Sequence, residues 1–226
     1  MSDIPKMFDQ ISPTYDFVNR VLSLGQDLRW RKKLAQFVPL KPHLEILDLA
    51  TGTGDQIAVL YEAGLSIQRA IGIDLAEEMI KIARTKLSAY PTAELRMGDA
   101  QKLTFPSERF DAVTFSFGIR NVSDPLASLR EIHRILKKRG RCLILEFSMP
   151  NKWVRPFFLF YLRNLLPRLG GFISKNLPAY RYLNQTIETF PSGETFLALM
   201  QNAGFSNLSR ISMNLGSVSL YIGEKH

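Results

Sequence analysis

Apolar residues recur at helical spacing up to residue 43, and beyond it short apolar runs of strand length alternate with helical stretches. Met7, Phe8, Ile11, Tyr15, Val18 and Leu22 make one apolar face of a helical lead-in over residues 2–22. Pro13 interrupts that face, so two short helices are expected there. A further helix is expected from a cap at Asp27 to Phe37, with Trp30 and Leu34 on its apolar side and Arg29, Arg31, Lys32 and Lys33 on its wet side. Runs at 44–49, 70–74, 94–97, 110–115 and 141–147 read as strands, with helices at 56–63, 77–87 and 125–137 between them. Asp124 is placed to cap the last of these helices, with Pro125 at its first position. Such alternation predicts an α/β fold, a doubly wound parallel sheet with helices on both faces. Near the end, a helix capped by Ser192 and stopped by Gly204 precedes two antiparallel strands at 207–214 and 217–224.

Residues 150–182 break the alternation. They hold Trp153, Phe157, Phe158, Phe160, Tyr161 and Phe172 among six cations, Lys152, Arg155, Arg163, Arg168, Lys175 and Arg181, without an Asp or Glu. At 226 residues one domain is expected. It divides into a helical N-terminal lid (1–43), a cofactor-binding core (44–149), an apolar and basic insertion (150–190) and a C-terminal helix with antiparallel strands (191–226).

The net charge of +8 calls for an acidic partner, and the segment 150–182 carries most of it. Cations set among bulky apolar residues point to an anionic membrane surface, met peripherally, and no nucleic acid is expected. Cys142 is alone, which excludes an internal disulfide, and its apolar run makes it a core thiol. His43, His133 and His226 are scattered, so no metal site is expected. The polar N-terminus does not read as a signal peptide, and no apolar run reaches the roughly 18–20 residues that span a bilayer. A cytoplasmic protein is expected, working at the membrane's inner face. Nothing in the sequence sets an oligomeric state.

The chemistry centres on Asp48, Gly52, Gly54 and Asp55, where a strand ends in an Asp-x-x-x-Gly-x-Gly turn before a helix. Parallel sheets bind ligands past such strand ends. The third glycine of a dinucleotide fingerprint is replaced by Ile57, which disfavours a pyrophosphate. A ligand with one carboxylate and a nucleoside, S-adenosylmethionine, suits the short loop. Asp74 ends the next strand, where an acid meets ribose hydroxyls, although it could equally cap the helix from Glu77. Asp99, after the third strand, can accept from an adenine amino group while Ala100 leaves room for the ring, or can serve as a turn residue.

Several blocks resemble the ubiquinone/menaquinone biosynthesis C-methyltransferase family of class I S-adenosylmethionine-dependent methyltransferases. They include Met7-Phe8-Asp9, Tyr15-Asp16, Asp48-Leu49-Ala50, Gly52-Thr53-Gly54-Asp55, Phe117-Gly118-Ile119-Arg120-Asn121-Val122, Leu145-Glu146-Phe147-Ser148, Tyr180-Arg181-Tyr182-Leu183 and Ala203-Gly204-Phe205. The Gly-loop is shared by very many methyltransferases, whereas the Phe-Gly-Ile-Arg-Asn-Val and Leu-Glu-Phe-Ser blocks are much more specific. The chain departs from the family at Lys137-Lys138-Arg139-Gly140, where Lys-Pro-Gly-Gly is usual, and at Thr186, where serine is usual.

The resemblance implies a seven-stranded, mostly parallel Rossmann-like sheet and cofactor contacts at Thr53, Asp74, Asp99, Ala100 and Ser116. It also implies a prenylated quinol near Arg120 and Asn121, most simply demethylmenaquinol converted to menaquinol, with a polyprenyl benzoquinol as a further substrate. Arg120 is expected to stabilise a developing phenolate and Asn121 to orient the ring, since guanidinium is too weak an acid to act as a base. Tyr15 and Asp16 are expected to close over the site. Two rivals remain beside this reading, an RNA methyltransferase and a non-catalytic module that senses the nucleoside.

Overall fold

The computed structural model describes residues 4–174 and 176–226; Lys175 and the side chain of Phe172 lie outside the described residues. Seven strands form one sheet in the order β3-β2-β1-β4-β5-β7-β6. They are β1 (Leu44–Leu49), β2 (Ile67–Asp74), β3 (Ala93–Met97), β4 (Phe110–Ser116), β5 (Leu136–Phe147), β6 (Ser206–Met213) and β7 (Val218–Glu224). β1 pairs in parallel with β2 on one edge and β4 on the other, and β7 runs antiparallel to both its neighbours.

Period-two alternation divides the strand side chains between two cores. Leu47 and Leu49 of β1, Val113 and Phe115 of β4 and Tyr221 of β7 face one side. There they meet α5 (Pro125–Ile135) and α9 (Glu194–Asn202) through Leu129, Ile132, Phe196 and Met200. Leu44, Ile46, Ala112, Leu143 and Leu220 face the other side, against α2 (Gln26–Ala35) and α3 (Asp55–Glu62). Each fully buried Leu, Ile or Phe contributes about 1.5–3 kcal/mol to holding these layers. α4 (Glu77–Lys86) follows β2.

A third apolar cluster lies above the C-terminal ends of the strands. It joins α1 (Ile4–Ser23) to the insertion, which folds as α6 (Arg155–Phe160), a π-helical turn (Tyr161–Leu165), α7 (Leu166–Ser174) and α8 (Leu177–Thr189). Ile11 and Val18 of α1 pack there with Leu162, Leu166, Ala179 and Ile187.

Three local expectations are corrected. The lead-in is one helix, with Pro13 inside it. Proline removes the N–H that would bond the Asp9 carbonyl, and the Ser12 hydroxyl donates to that carbonyl instead, at 2.9 Å. Asp27 is not the cap of α2: Gly25 is, at φ 72°, and Asp27 sits in the first turn, bonded to Ser23 and Arg20. Likewise Gly193 precedes α9, while the Ser192 hydroxyl accepts from the Met149 N–H at 3.3 Å. The Asp124 cap forms as expected, its carboxylate accepting from the Ala127 N–H.

Candidate active site

Strand order reverses at β1, and a crevice opens there beyond the strand ends, between the loops after β1 and β4. The chain leaves β1 through left-handed backbone at Ala50, Gly52 and Gly54. A Cβ on Gly52 would meet nothing within 4 Å, so the backbone presents itself to open space. A Cβ on Gly54 would stand 2.9 Å from Leu87, which is a packing demand of α4.

Asp48 lies beneath this loop. It is 1% exposed, and it accepts from the Thr51 hydroxyl at 2.7 Å and the Thr114 hydroxyl at 2.5 Å. Burial, the largest effect, raises its carboxyl to about 6 despite those two donors. Asp48, one of the expected cofactor-binding residues, therefore shapes the loop from below and is absent from the lining of the cavity above it. Thr53 and Gly54 also lie off that cavity. The Thr53 hydroxyl donates to Asp16 at 2.6 Å, and Lys86 bonds Thr53, Asp16 and Asp55 at 3.2, 2.6 and 2.5 Å. Arg20 closes the network on Asp55 at 2.6 Å, so α1 is fastened to the loop by charge-assisted bonds. Burial opposes ionisation of Asp55, but the charges of Arg31 and Lys86 win and bring it down to about 2.

Above the loop is a cavity of about 250 Å³ lined by Gly52, Asp74, Asp99, Ala100, Ser116 and Asn121. Asp74 holds its rim: its carboxylate accepts from the Gly52 N–H at 2.8 Å and the Ala76 N–H at 2.9 Å. The alternative role as cap of the helix from Glu77 is not what is seen, since Ala76 holds the cap position without a side-chain cap bond, and the carboxylate keeps lone pairs for a further donor. Asp99 accepts from the Gln101 N–H at 2.8 Å, and the Ser116 hydroxyl donates to Gln56 at 3.0 Å. Two carboxylates, an open glycine turn and small residues at Ala100 and Gly98 fit S-adenosylmethionine. Gln101, Gly118 and Val122 also line this cavity and were not picked out as site residues from the sequence, because side chains of these types carry no pattern of their own.

A second cavity, of about 310 Å³, lies between α1, α2 and the insertion, and its wall is mostly apolar. Phe8, Tyr15 and Phe117 line both cavities and form the partition between them. Arg120 stands in the second cavity with its side chain 5% exposed, so it is no surface ion pair. Its Nη1 donates to Glu146 at 2.8 Å and to the Phe117 carbonyl at 2.5 Å. Burial raises the Glu146 carboxyl, with Arg120 and the Phe147 N–H pulling against that rise. Glu146 is the partner that sequence inspection missed, lying 26 positions away on another strand. Asn121 accepts from the Tyr182 hydroxyl at 3.2 Å. Burial also raises Tyr15, against the pull of Arg31, Asn19 and Arg120, which keeps its hydroxyl a proton donor at neutral pH. Among the described residues no cluster of His, Cys, Asp and Glu could hold a metal ion.

Two measurements follow from the carboxylates. Asp74→Ala should weaken S-adenosylmethionine binding by about 1–3 kcal/mol, the range for hydrogen bonds to a charged group. Calorimetric titration that finds wild-type affinity in a folded variant refutes the assignment. Asp48 has its folded value raised above the ordinary 3.8, so its proton stabilises the fold below about pH 4, and that stabilisation is lost as pH rises through about 6. Urea unfolding of the wild type against Asp48→Asn should therefore show a relative loss of about 3 kcal/mol across that window, and parallel curves would exclude it.

The sequence model of the ubiE/COQ5 methyltransferase family matches residues 2–225. The chain is 42% identical to the ubiquinone/menaquinone biosynthesis C-methyltransferase UbiE of Campylobacter jejuni, over 98% of this chain and 97% of that one. It is 40% identical to the protein of the same name from Geotalea uraniireducens, over 98% and 96%. With the demethylmenaquinone methyltransferase of Chlorobaculum parvum the identity is 39%, over 99% and 93%. Among solved structures, a SAM-dependent methyltransferase from Thermotoga maritima matches at TM-score 0.67 and 21% identity, over 98% and 99% of the two chains. The [4+2]-cyclase SpnF matches at 0.68 and 16%, over 98% and 94%. These last two share the fold alone, and a cyclase among them shows that the fold does not set the reaction. Sequence identity along almost the whole length does what the fold cannot, and by it the chain belongs to the ubiE/COQ5 methyltransferase family.

Proposed function

We propose that this chain methylates a ring carbon of a prenylated quinol, converting demethylmenaquinol to menaquinol and accepting a polyprenyl benzoquinol as well. The observation that carries this reading is the pair of cavities: one suited to a nucleoside and one apolar, meeting at Phe8, Tyr15 and Phe117. S-adenosylmethionine, the methyl donor of this enzyme class, brings an already electrophilic methyl sulfonium. The work left to the chain is to position a ring and to favour negative charge on its oxygen.

Arg120 suits the second task. Its guanidinium stays protonated, is withdrawn from water, and is held from behind by Glu146 and the Phe117 carbonyl. A fixed cation in a dry wall stabilises a phenolate far more than the same charge does in water. Asn121, bonded to Tyr182 and facing the nucleoside cavity, suits orienting the ring at the junction. Tyr15 supplies a protonated hydroxyl in the shared wall and, with Asp16, fixes α1 as a lid over both cavities.

The substrate's tail lives in a bilayer, and the insertion offers a surface to meet it. Trp153, Phe157 and Phe160 are 88%, 78% and 59% exposed, beside exposed Lys152, Arg155 and Arg168. Phe158, Tyr161 and Leu162, on the other side of the same helical stretch, line the apolar cavity. Leu24 lines that cavity and is also 85% exposed, which puts an opening at this end of the molecule. Arg163 contributes less charge, because Glu188 pairs with it at 2.5 Å. Among the described residues no helix is long and apolar enough to cross a membrane, so the docking proposed is peripheral.

Arg120→Ala should lower turnover of a short-tailed demethylated quinol by roughly 10²- to 10³-fold, as for loss of one charge-stabilising donor, with little change in cofactor affinity. Arg120→Lys should rescue only in part, for want of the planar fork. Turnover near the wild-type rate would remove Arg120 from the mechanism, and failure of the wild type to methylate any quinol would remove the function.

Vesicle co-sedimentation tests the docking. Binding should be strong on anionic lipid, weaker on neutral lipid and reduced by salt, each basic residue being worth about 1 kcal/mol. Replacing Lys152, Arg155 and Arg168 by Gln should release the protein and spare cofactor binding, whereas equal sedimentation on both lipids would exclude electrostatic docking.

A further inference from the structure

Four cations stand buried or half-buried around the apolar cavity and the adjoining loop: Arg20, Arg31, Lys86 and Arg120. Three touch carboxylates. Arg20 meets Asp27 and Asp55, Lys86 meets Asp16 and Asp55, and Arg120 meets Glu146. Arg31 has no such partner among the described residues. It is 8% exposed, it lines the apolar cavity, and its buried Nε lacks any hydrogen-bond partner. Its charge acts on Asp55 and lowers that carboxyl, but no hydrogen bond satisfies the buried Nε, and a buried donor left unpaired costs free energy.

The side chain is nevertheless well placed. α2 is tied down by Trp30, whose indole N–H donates to Asn214 at 2.9 Å. The Arg31 guanidinium sits 5.5 Å from the centre of the Phe117 ring. Phe117 packs against Phe147 with ring centres 4.9 Å apart, and the Arg120 guanidinium sits 5.5 Å from the Phe147 ring. Arg31 and Arg120 thus flank one aromatic pair in the wall of one cavity. Arg120 has a carboxylate of its own, and Arg31 has none within bonding reach among the described residues.

We propose that Arg31 is a second oxygen-binding group of the apolar cavity, taking the second oxygen of an aromatic ring whose phenolate oxygen meets Arg120, so that the two cations together hold an ionised ring. The proposal rests on the quinol reading, because a quinol ring carries two oxygens on opposite sides. Charge-assisted hydrogen bonds are strong when both groups are withdrawn from water, so the unpartnered Nε of Arg31 contributes to binding once the ring is seated. Arg31 selects for an oxygen-bearing ring, while the apolar wall takes whatever tail accompanies it.

The test uses the full chain and two rings that cannot be methylated in the same way: 2-hydroxy-1,4-naphthoquinone, ionised at neutral pH, and uncharged 1,4-naphthoquinone. By calorimetry, Arg31→Gln should lose about tenfold or more in affinity for the ionised ring and little for the neutral one, while S-adenosylmethionine affinity stays as in the wild type. Arg31→Lys should recover part of the loss. A residue needed only for packing would instead weaken both rings alike and lower the melting temperature. With a short-tailed demethylated quinol, KM should rise about tenfold and kcat change less, the reverse of the Arg120 pattern.

Equal weakening of both rings together with a lowered melting temperature would overturn the proposal in favour of a structural role. An unchanged preference for the ionised ring would overturn it outright. If the wild type methylates quinols and Arg31→Gln does so with the same KM, Arg31 has no such role and the function stands. If no quinol is methylated yet the ionised ring binds in an Arg31-dependent way, the oxygen site stands and the quinol reading falls.

Discussion

The site depends on β1 being hydrogen-bonded along both edges, to β2 on one and β4 on the other. Parallel neighbours must be joined by right-handed crossovers, so the helix after β1 and the helix after β4 are driven to opposite faces. α3 goes to the face of Leu44 and Ile46, and α5 to the face of Leu47 and Leu49. The loops beyond β1 and β4 part company at this point, and the gap between them cannot be filled by the elements that made it. Asp74 and Asp99 reach the gap from the two outer strands, because β2 and β3 end level with it; Asp74 is in register with Met97 at the ends of those strands.

Into this gap the chain brings two kinds of recognition that require different solvents. One cavity offers carboxylates and an open glycine turn, the other mostly aromatic and aliphatic side chains. The partition is thin, and one of its members is under strain. Phe117 has φ 59°, a left-handed conformation that costs an ordinary residue roughly 1–2 kcal/mol. Its N–H is taken by the Leu145 carbonyl at 2.7 Å and its own carbonyl by Arg120. Arg120 therefore does two things at once: it presents charge to the apolar cavity and holds the wall that separates the cavities. Glu146 fixes Arg120 from a neighbouring strand, so both functions trace back to the pairing of β4 with β5.

Much of this was legible in the sequence, and the illegible parts have a common cause. Strand ends, the glycine turn and acids at three successive strand ends are local patterns, and Gly52, Asp74, Asp99 and Ala100 all line one cavity. Side-chain pairing is non-local. Nothing near Thr53 foretells that its hydroxyl turns to Asp16 and Lys86, 37 and 33 positions away. Asp48 ends its strand as the other acids do, but its carboxylate is taken by Thr51 of the loop and Thr114 of β4, and no local pattern announces that second partner. Pro13 looked like a helix break because the spare hydroxyl of Ser12 has no signature at the level of periodicity. The cation-rich insertion was readable as a composition, but Glu188, which neutralises Arg163, lay outside the segment that first drew notice.

The fastening of α1 bears on how the chain reaches this state. Asp16 and Arg20 are made before their partners Asp55 and Lys86, which come 35 to 70 positions later. The rest of the α1 face waits on Leu162, Leu166 and Ala179, near the other end. A helix of 20 residues is marginal alone in water, and the amphipathic face of α1 has nothing to cover until the sheet and the insertion exist. A segment made before its partners is therefore late to settle. Both cavities take a wall from Phe8 and Tyr15 of this helix, so the site is complete only when α1 is seated.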